Sequence, residues 1–252
     1  MSCQHYVSHQ LTHFVGRAKR RADARYRVLK TILDSGQLLA KWPKDIETRF
    51  RAPYVAQRHI RARLSTNRAF EDSVVCFCDI PPGDLAIHME KYGRFGVAFQ
   101  KHFLVGKGAT PVMYIPRDGR PPLMPHFIKR TEGFATNSEA FDEFYKRYSR
   151  LCMQFNATEV KRGLDVETRE LARSFNLRRE FIDSEFLTRL KFFDSFEPDY
   201  GTKNYYMERE WRIQGNLKFH LSDVQRVIIP EGFARRFRKD FPRYDGEMVF
   251  AE

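Results

Sequence analysis

The 252-residue chain has little cysteine, only Cys3, Cys76, Cys78 and Cys152. They include one C-x-C pair, no C-x-x-C and no second pair at zinc-ribbon spacing, which argues against a structural zinc site or a disulfide framework. No metal is expected. Apolar runs near the roughly 18 residues that cross a bilayer are missing. The opening MSCQHYVSHQ is polar where a secretory signal would be apolar, so a soluble, cytoplasmic protein with no membrane partner is expected. Also missing are G-x-x-x-x-G-K-[ST], G-x-G-x-x-G after a strand, G-x-S-x-G and H-E-x-x-H. Nucleotide hydrolysis, Rossmann dehydrogenation and serine hydrolysis each lose their usual signature. Without an internal repeat or a biased linker, residues 1–252 are expected to form a single domain.

Positive charge is what the sequence has in excess, and it is concentrated. The formal net charge is +12, and residues 17–68 hold fifteen Lys and Arg against four Asp and Glu, so nearly all of the surplus lies there. Tyr26, Phe50, Tyr54, His59 and Phe70 are interleaved or adjacent. Arginine dominates, and its planar fork suits bidentate phosphate contacts and stacking on bases. The stretch reads either as a solvated basic face or as a surface for a polyanion, and its concentration favours nucleic acid or a phosphate-rich ligand. Arg20, Arg21, Arg58, Arg61 and Arg63 are the candidate contacts.

Hydrophobic periodicity predicts strands at about Gln10–Val15, Ser73–Cys78, Phe95–Gln100, Pro111–Ile115, Glu208–Gln214 and Arg226–Ile229, with an edge strand at Glu247–Phe250. Helices are expected at about Asp23–Ser35 with Gly36 as the stop, Asp84–Lys91, Ser138–Asn156, Arg179–Phe193 and Phe233–Lys239. Residues 40–72 read as irregular or short-helical. The aromatic stripe of Phe141, Phe144, Tyr145, Tyr148 and Phe155 reads as core. Strands at both ends around a helical insertion at about 137–193 indicate an α+β fold.

Three segments carry residues able to do chemistry. In LTHFVGR, His13 and Arg17 flank a strand end where imidazole and guanidinium could meet a phosphate or ribose. In SVVCFCDIPPGDLAIHMEKYGRFGVAFQ, a strand runs into a short helix bearing His88 and Tyr92. In YYMEREWRI, period two on a strand puts Glu208 and Glu210 on one face and Met207, Arg209 and Trp211 on the other. The glutamates are either solvated edge charges or a catalytic pair. With Asp79 and His88 they could also serve a metal-dependent nuclease.

LTHFVGR, ILDSGQLL, VVCFCDIP…HMEKYGRFGVAF, PVMYI and EREWRI together resemble the AbiGi family of bacterial abortive-infection systems. More distantly, the chain resembles a family of short proteins with CFS…HY…G…F and E-x-E-W-R patterns. The order of elements also resembles the ADP-ribosyltransferase fold, in particular the DarT-like nucleic-acid ADP-ribosyltransferases. That resemblance implies a split-sheet core and NAD as substrate. It carries His13 onto the first-strand histidine that bonds an NAD ribose, the Ser35–Leu39 turn onto the segment after the first helix, and Glu210 onto the late-strand glutamate, with Glu208 two residues before it. Cys76–Asp79 lacks the Tyr or Ser of the second strand, leaving Phe77, Tyr92 or Tyr54 to stack on nicotinamide. Arg17, Arg49 or Arg51 would hold the pyrophosphate. A carboxylate at the 2′-hydroxyl stabilises the oxocarbenium-like state, and Glu208 could deprotonate the acceptor. The implied function is an NAD-dependent ADP-ribosyltransferase modifying DNA or RNA, a phage-defence toxin with a cognate antitoxin. The rival is a non-catalytic antitoxin or nucleic-acid-binding module of the same fold.

Overall fold

The computed structural model describes residues 8–40, 63–69, 74–81, 84–121, 136–159, 165–198 and 205–251. The chain gathers into two compact units. One comprises Met1–Ala40, Val74–Val112 and Tyr206–Glu252; the other comprises Lys41–Ser73 and Met113–Tyr205, which includes the insertion. In chain order the elements are β1 (Gln10–Phe14), α1 (Ala22–Ser35), β2 (Gln37–Leu38), β3 (Val74–Cys78), α2 (Leu85–Tyr92), β4 (Gly96–Gln100) and α3 (Lys101–Gly106). They continue with β5 (Thr110–Pro111), β6 (Met113–Pro116), α4 (Asn137–Glu159), α5 (Val166–Glu185) and β7 (Leu190–Phe193). The last are β8 (Glu210–Gln214), β9 (Leu217–Lys218), β10 (Val224–Ile229), α6 (Ala234–Asp240) and β11 (Glu247–Phe250). This is an α+β arrangement. No described helix is long and apolar enough to cross a membrane.

The first unit is built on a seven-stranded sheet of order β11-β10-β4-β1-β3-β8-β5. Every neighbouring pair is antiparallel except β10 and β11. The hydrophobic strands VVCFC and GVAFQ sit inside the sheet because both their faces are covered. Register separates those faces. Thr12 pairs with Cys78 and Ala98, and Cys78 pairs with Glu210, so these side chains share one face. Period two then puts Leu11, Phe77, Val97 and Phe99 on the other, where none is more than 2% exposed. There Phe99 meets Phe77 and Phe219 edge-on, with ring centroids 6.2 and 5.0 Å apart. Helix α1 buries Tyr26, Leu29 and Leu33 and ends at Gly36, whose N–H bonds the Ile32 carbonyl. The Tyr26 ring stacks on Phe233 and meets Phe95 edge-on, while its hydroxyl donates to Asp240 at 2.7 Å.

Three expectations are corrected by local chemistry. The strand expected at Pro111–Ile115 is broken at buried Val112, whose N–H bonds the Glu210 carbonyl. β5 therefore joins the large sheet and β6 pairs with β7. The helix expected at Arg179–Phe193 begins much earlier. Asp165 caps α5 by accepting from the Thr168 N–H at 2.8 Å, and the expected helix's last four residues form strand β7, parallel to β6. Glu208 is not in a strand. It ends a 3-10 turn, Tyr206–Glu208, and Arg209 follows at φ 44°, so β8 starts only at Glu210. Most of the basic segment at 40–72 lies outside the described residues, but Leu64–Thr66 within it is a 3-10 turn.

In the second unit, Leu64, Tyr145, Leu187 and Phe192 form a buried cluster backed by Phe141 and Tyr148. Ser65 is tied to α4 through the Asp142 carboxylate, which accepts from its N–H and its hydroxyl. Only part of the aromatic stripe is core: Tyr145 and Cys152 are buried, while Phe144 is 50% exposed. Phe155 of α4 stacks on Phe175 of α5 at 4.1 Å.

Candidate functional site

The polar residues of interest lie on the sheet face that carries Cys78 and Glu210. Strand β8 holds Glu210 and Arg212 two residues apart on that face. The Arg212 Nε donates to Glu210 Oε1 at 2.7 Å, with both side chains at least nine-tenths buried. The turn before β8 brings in Glu208, also buried. Helix α2 supplies its partners from consecutive positions at its C-terminal end: Lys91 Nζ lies 2.8 Å from Glu208 Oε1, and the Tyr92 hydroxyl donates to the same oxygen. Burial, then the Glu208 charge, push the Tyr92 hydroxyl far up, which keeps it a donor. The Tyr92 ring stacks on Phe14 at 5.9 Å, and the Arg17 guanidinium lies 5.1 Å from its centroid. Cys78 beneath is buried, and its thiol is pushed up by burial and by the Glu208 charge.

Tyr92 thus links Glu208 and Arg17, on one face with Glu210. His13 and Phe77 are not. His13 sits one residue from Thr12 and Phe77 one from Cys78, so both point to the opposite face, where their rings lie 5.7 Å apart. The imidazole donates from Nδ1 to the Cys76 carbonyl at 2.7 Å, an interaction that fixes its tautomer. Phe77 is 2% exposed and packed on Phe99, leaving no ring face for a ligand. An NAD held between His13 and Glu210 and stacked on Phe77 does not fit this arrangement, because the sheet itself separates the groups. Asp79 is engaged by other groups, meeting Lys101 at 2.8 Å and the Ser8 N–H at 3.0 Å. Among the described residues no three His, Cys, Asp or Glu side chains gather so as to hold a metal ion. Asp79, Glu208, Glu210 and His88 therefore do not make the cluster that the nuclease reading requires.

Among the nucleic-acid candidates, Arg20 and Arg21 are exposed just before α1, and Arg63 is exposed in the second unit. Arg51, Arg58 and Arg61 lie outside the described residues, as do Arg49 and Tyr54. Sequence reasoning missed Arg25, Lys91, Arg94 and Arg212. The signal for two of them was in hand, because Lys91 and Arg94 flank Tyr92-Gly93 in a stretch singled out for His88 and Tyr92.

Burial holds the His13 and His88 imidazoles below the ordinary value of 6.5, so each stays neutral in the fold and takes up a proton more readily when unfolded. Their contribution to stability is complete above pH 6.5 and is lost as the pH falls below it through their folded values. The melting temperature is expected to fall between pH 7.5 and 5.5, and His13→Gln to make the fall shallower. An identical pH profile in the variant would contradict this.

A family model named for the AbiGi abortive phage resistance protein, antitoxin, matches residues 54–241. Neither a curated protein nor a solved structure matches the chain. The matched stretch contains β3, α2, β4 and the Glu208–Arg212 segment, while His13, Arg17 and Arg25 precede it. With well over half of its length matched, the chain belongs to the AbiGi family.

Proposed function

We propose that this AbiGi protein serves phage defence as a binding protein of the antitoxin kind, that its ligand is nucleic acid, and that a cognate toxin protein is its partner. The observation that carries the reading is the state of the two acids. Glu208 is engaged by Lys91 and Tyr92, and Glu210 by Arg212, all on one face, while His13 is spent on a strand carbonyl on the other. In such a site the buried carboxylates hold cations and a hydroxyl in place, and the surplus positive charge outside does the binding. The family's antitoxin description supports the same reading over the toxin role.

Fluorescence anisotropy with labelled DNA and RNA tests it. Affinity is expected to fall steeply with salt, with a log–log slope of about −0.7 to −0.9 per phosphate contact. Glu210→Gln, if folded, is expected to bind as the wild type does. No binding to either polymer at low salt would overturn the reading.

NAD-dependent ADP-ribosylation of nucleic acid stays as a second reading on one observation: β1, β3 and β8, which carry the three segments resembling the transferases, are immediate neighbours in the sheet. It requires a ligand held on the Glu210 face without His13. Loss of NAD turnover in Glu210→Gln would support it.

A further inference from the structure

Beside Tyr92 lies a cleft of about 580 Å³, lined by four cations, Arg17, Arg25, Lys91 and Arg94, against one acid, Glu90. Its volume falls in the range of small-ligand pockets and is ample for a nucleotide. Lys91 has its counter-charge in Glu208. Among the described residues no ion pair neutralises Arg17, Arg25 or Arg94. Three guanidinium groups around one concavity repel each other until an anion enters, and their fixed forks match the oxygens of a phosphate.

The cleft is also built, because the backbone is shaped around Arg25. Gly16, at φ 74°, and Gly93, at φ 99°, both lie against its side chain. A Cβ at position 16 would come within 3.0 Å of the Arg25 stem, and one at position 93 within 2.6 Å of Arg25 Nη1. Both glycines have positive φ, where any other residue is strained, and at position 93 an added carbon would push the Arg25 fork aside. The Arg25 Nε donates to the Lys19 carbonyl at 2.7 Å, which fixes the fork's direction. The opposite wall is equally set: Glu208 holds Lys91 and the Tyr92 hydroxyl, and Arg17 lies over the Tyr92 ring. Such preorganisation lowers the ordering cost of binding.

We propose that this cleft binds the phosphate of a nucleotide, free or within a nucleic-acid chain, with Arg17, Arg25 and Arg94 as its donors. The inference rests on the binding reading above only for the source of the phosphate. Calorimetry on the full chain with inorganic phosphate, with a nucleoside diphosphate and with a single-stranded oligonucleotide separates the sources. Arg94 is exposed, so Arg94→Gln leaves the fold intact, and melting curves are run on Arg25→Gln and Gly93→Ala so that only folded variants are compared. Each variant is expected to weaken phosphate-ligand binding by about tenfold or more, the effect of a lost charge-assisted bond. Gly93→Ala does so with every charge retained. If the wild type binds none of these ligands, or if folded Arg94→Gln and Arg25→Gln bind them as it does, the inference is overturned. An oligonucleotide bound with no dependence on Arg25 or Arg94 overturns the cleft while sparing nucleic-acid binding. An Arg94-dependent diphosphate complex without oligonucleotide binding sustains the cleft and overturns the nucleic-acid reading.

Discussion

Arg212→Met is expected to destabilise the protein by about 3–5 kcal/mol, the cost of leaving one member of a buried ion pair behind. Arg212 and Glu210 have side chains only 8% and 5% exposed and meet at 2.7 Å, in a register where Cys76 and Thr110 flank Arg212 across the sheet. Methionine fills much of the arginine's volume but gives the Glu210 carboxylate no charge, and water cannot reach it. Glu210→Gln is milder, since the amide oxygen still accepts from the Arg212 Nε. The double change Glu210→Leu with Arg212→Met should recover most of the loss, because removing both charges removes the need to solvate either. Urea unfolding of the three variants checks the ordering. A single Arg212→Met variant as stable as the wild type would show that Glu210 does not depend on this guanidinium.

Phe192→Ala is expected to cost about 3–5 kcal/mol by the cavity it leaves. The ring is fully buried among Leu64, Tyr145 and Leu187 and meets Phe141 edge-on at 5.4 Å. Its backbone is held independently: the Asn67 amide donates to the Phe192 carbonyl at 2.8 Å and accepts from its N–H at 2.7 Å. The substitution therefore removes packing and leaves those hydrogen bonds in place, so the loss reports on the ring. Phe192→Leu should lose less, since it returns part of the volume. Denaturant midpoints at unchanged slope measure both changes, and a loss below about 1 kcal/mol for alanine would mean the cluster collapses onto the space.

Where the sequence speaks through periodicity, the fold was legible. VVCFC and GVAFQ are strands, LTHFV opens with one, and Gly36 ends α1. It was not legible where a tertiary partner overrides the local pattern. Leu190–Phe193 continues a helical spacing but takes a strand next to Met113–Pro116, a partner more than 70 residues earlier. Glu208 has strand spacing from Glu210, yet the positive φ at Arg209 puts it in a turn, a conformation that an arginine does not advertise. The candidate site was half legible for a related reason. Residue types and spacing identified Glu208, Glu210, Tyr92 and Arg17. Which side of the sheet each side chain takes depends on register, and that register puts His13 and Phe77 behind the strands that carry the acids. Arg25 carries no motif; its importance lies in two glycines, nine residues before it and 68 after, that leave room for it.

The most direct test of the account is the gel mobility of a labelled oligonucleotide incubated with the protein and NAD, run before and after deproteinisation. Binding without chemistry predicts a shift that weakens with salt, needs no NAD and vanishes once the protein is removed. A shift that survives deproteinisation, requires NAD and is absent with Glu210→Gln would contradict it.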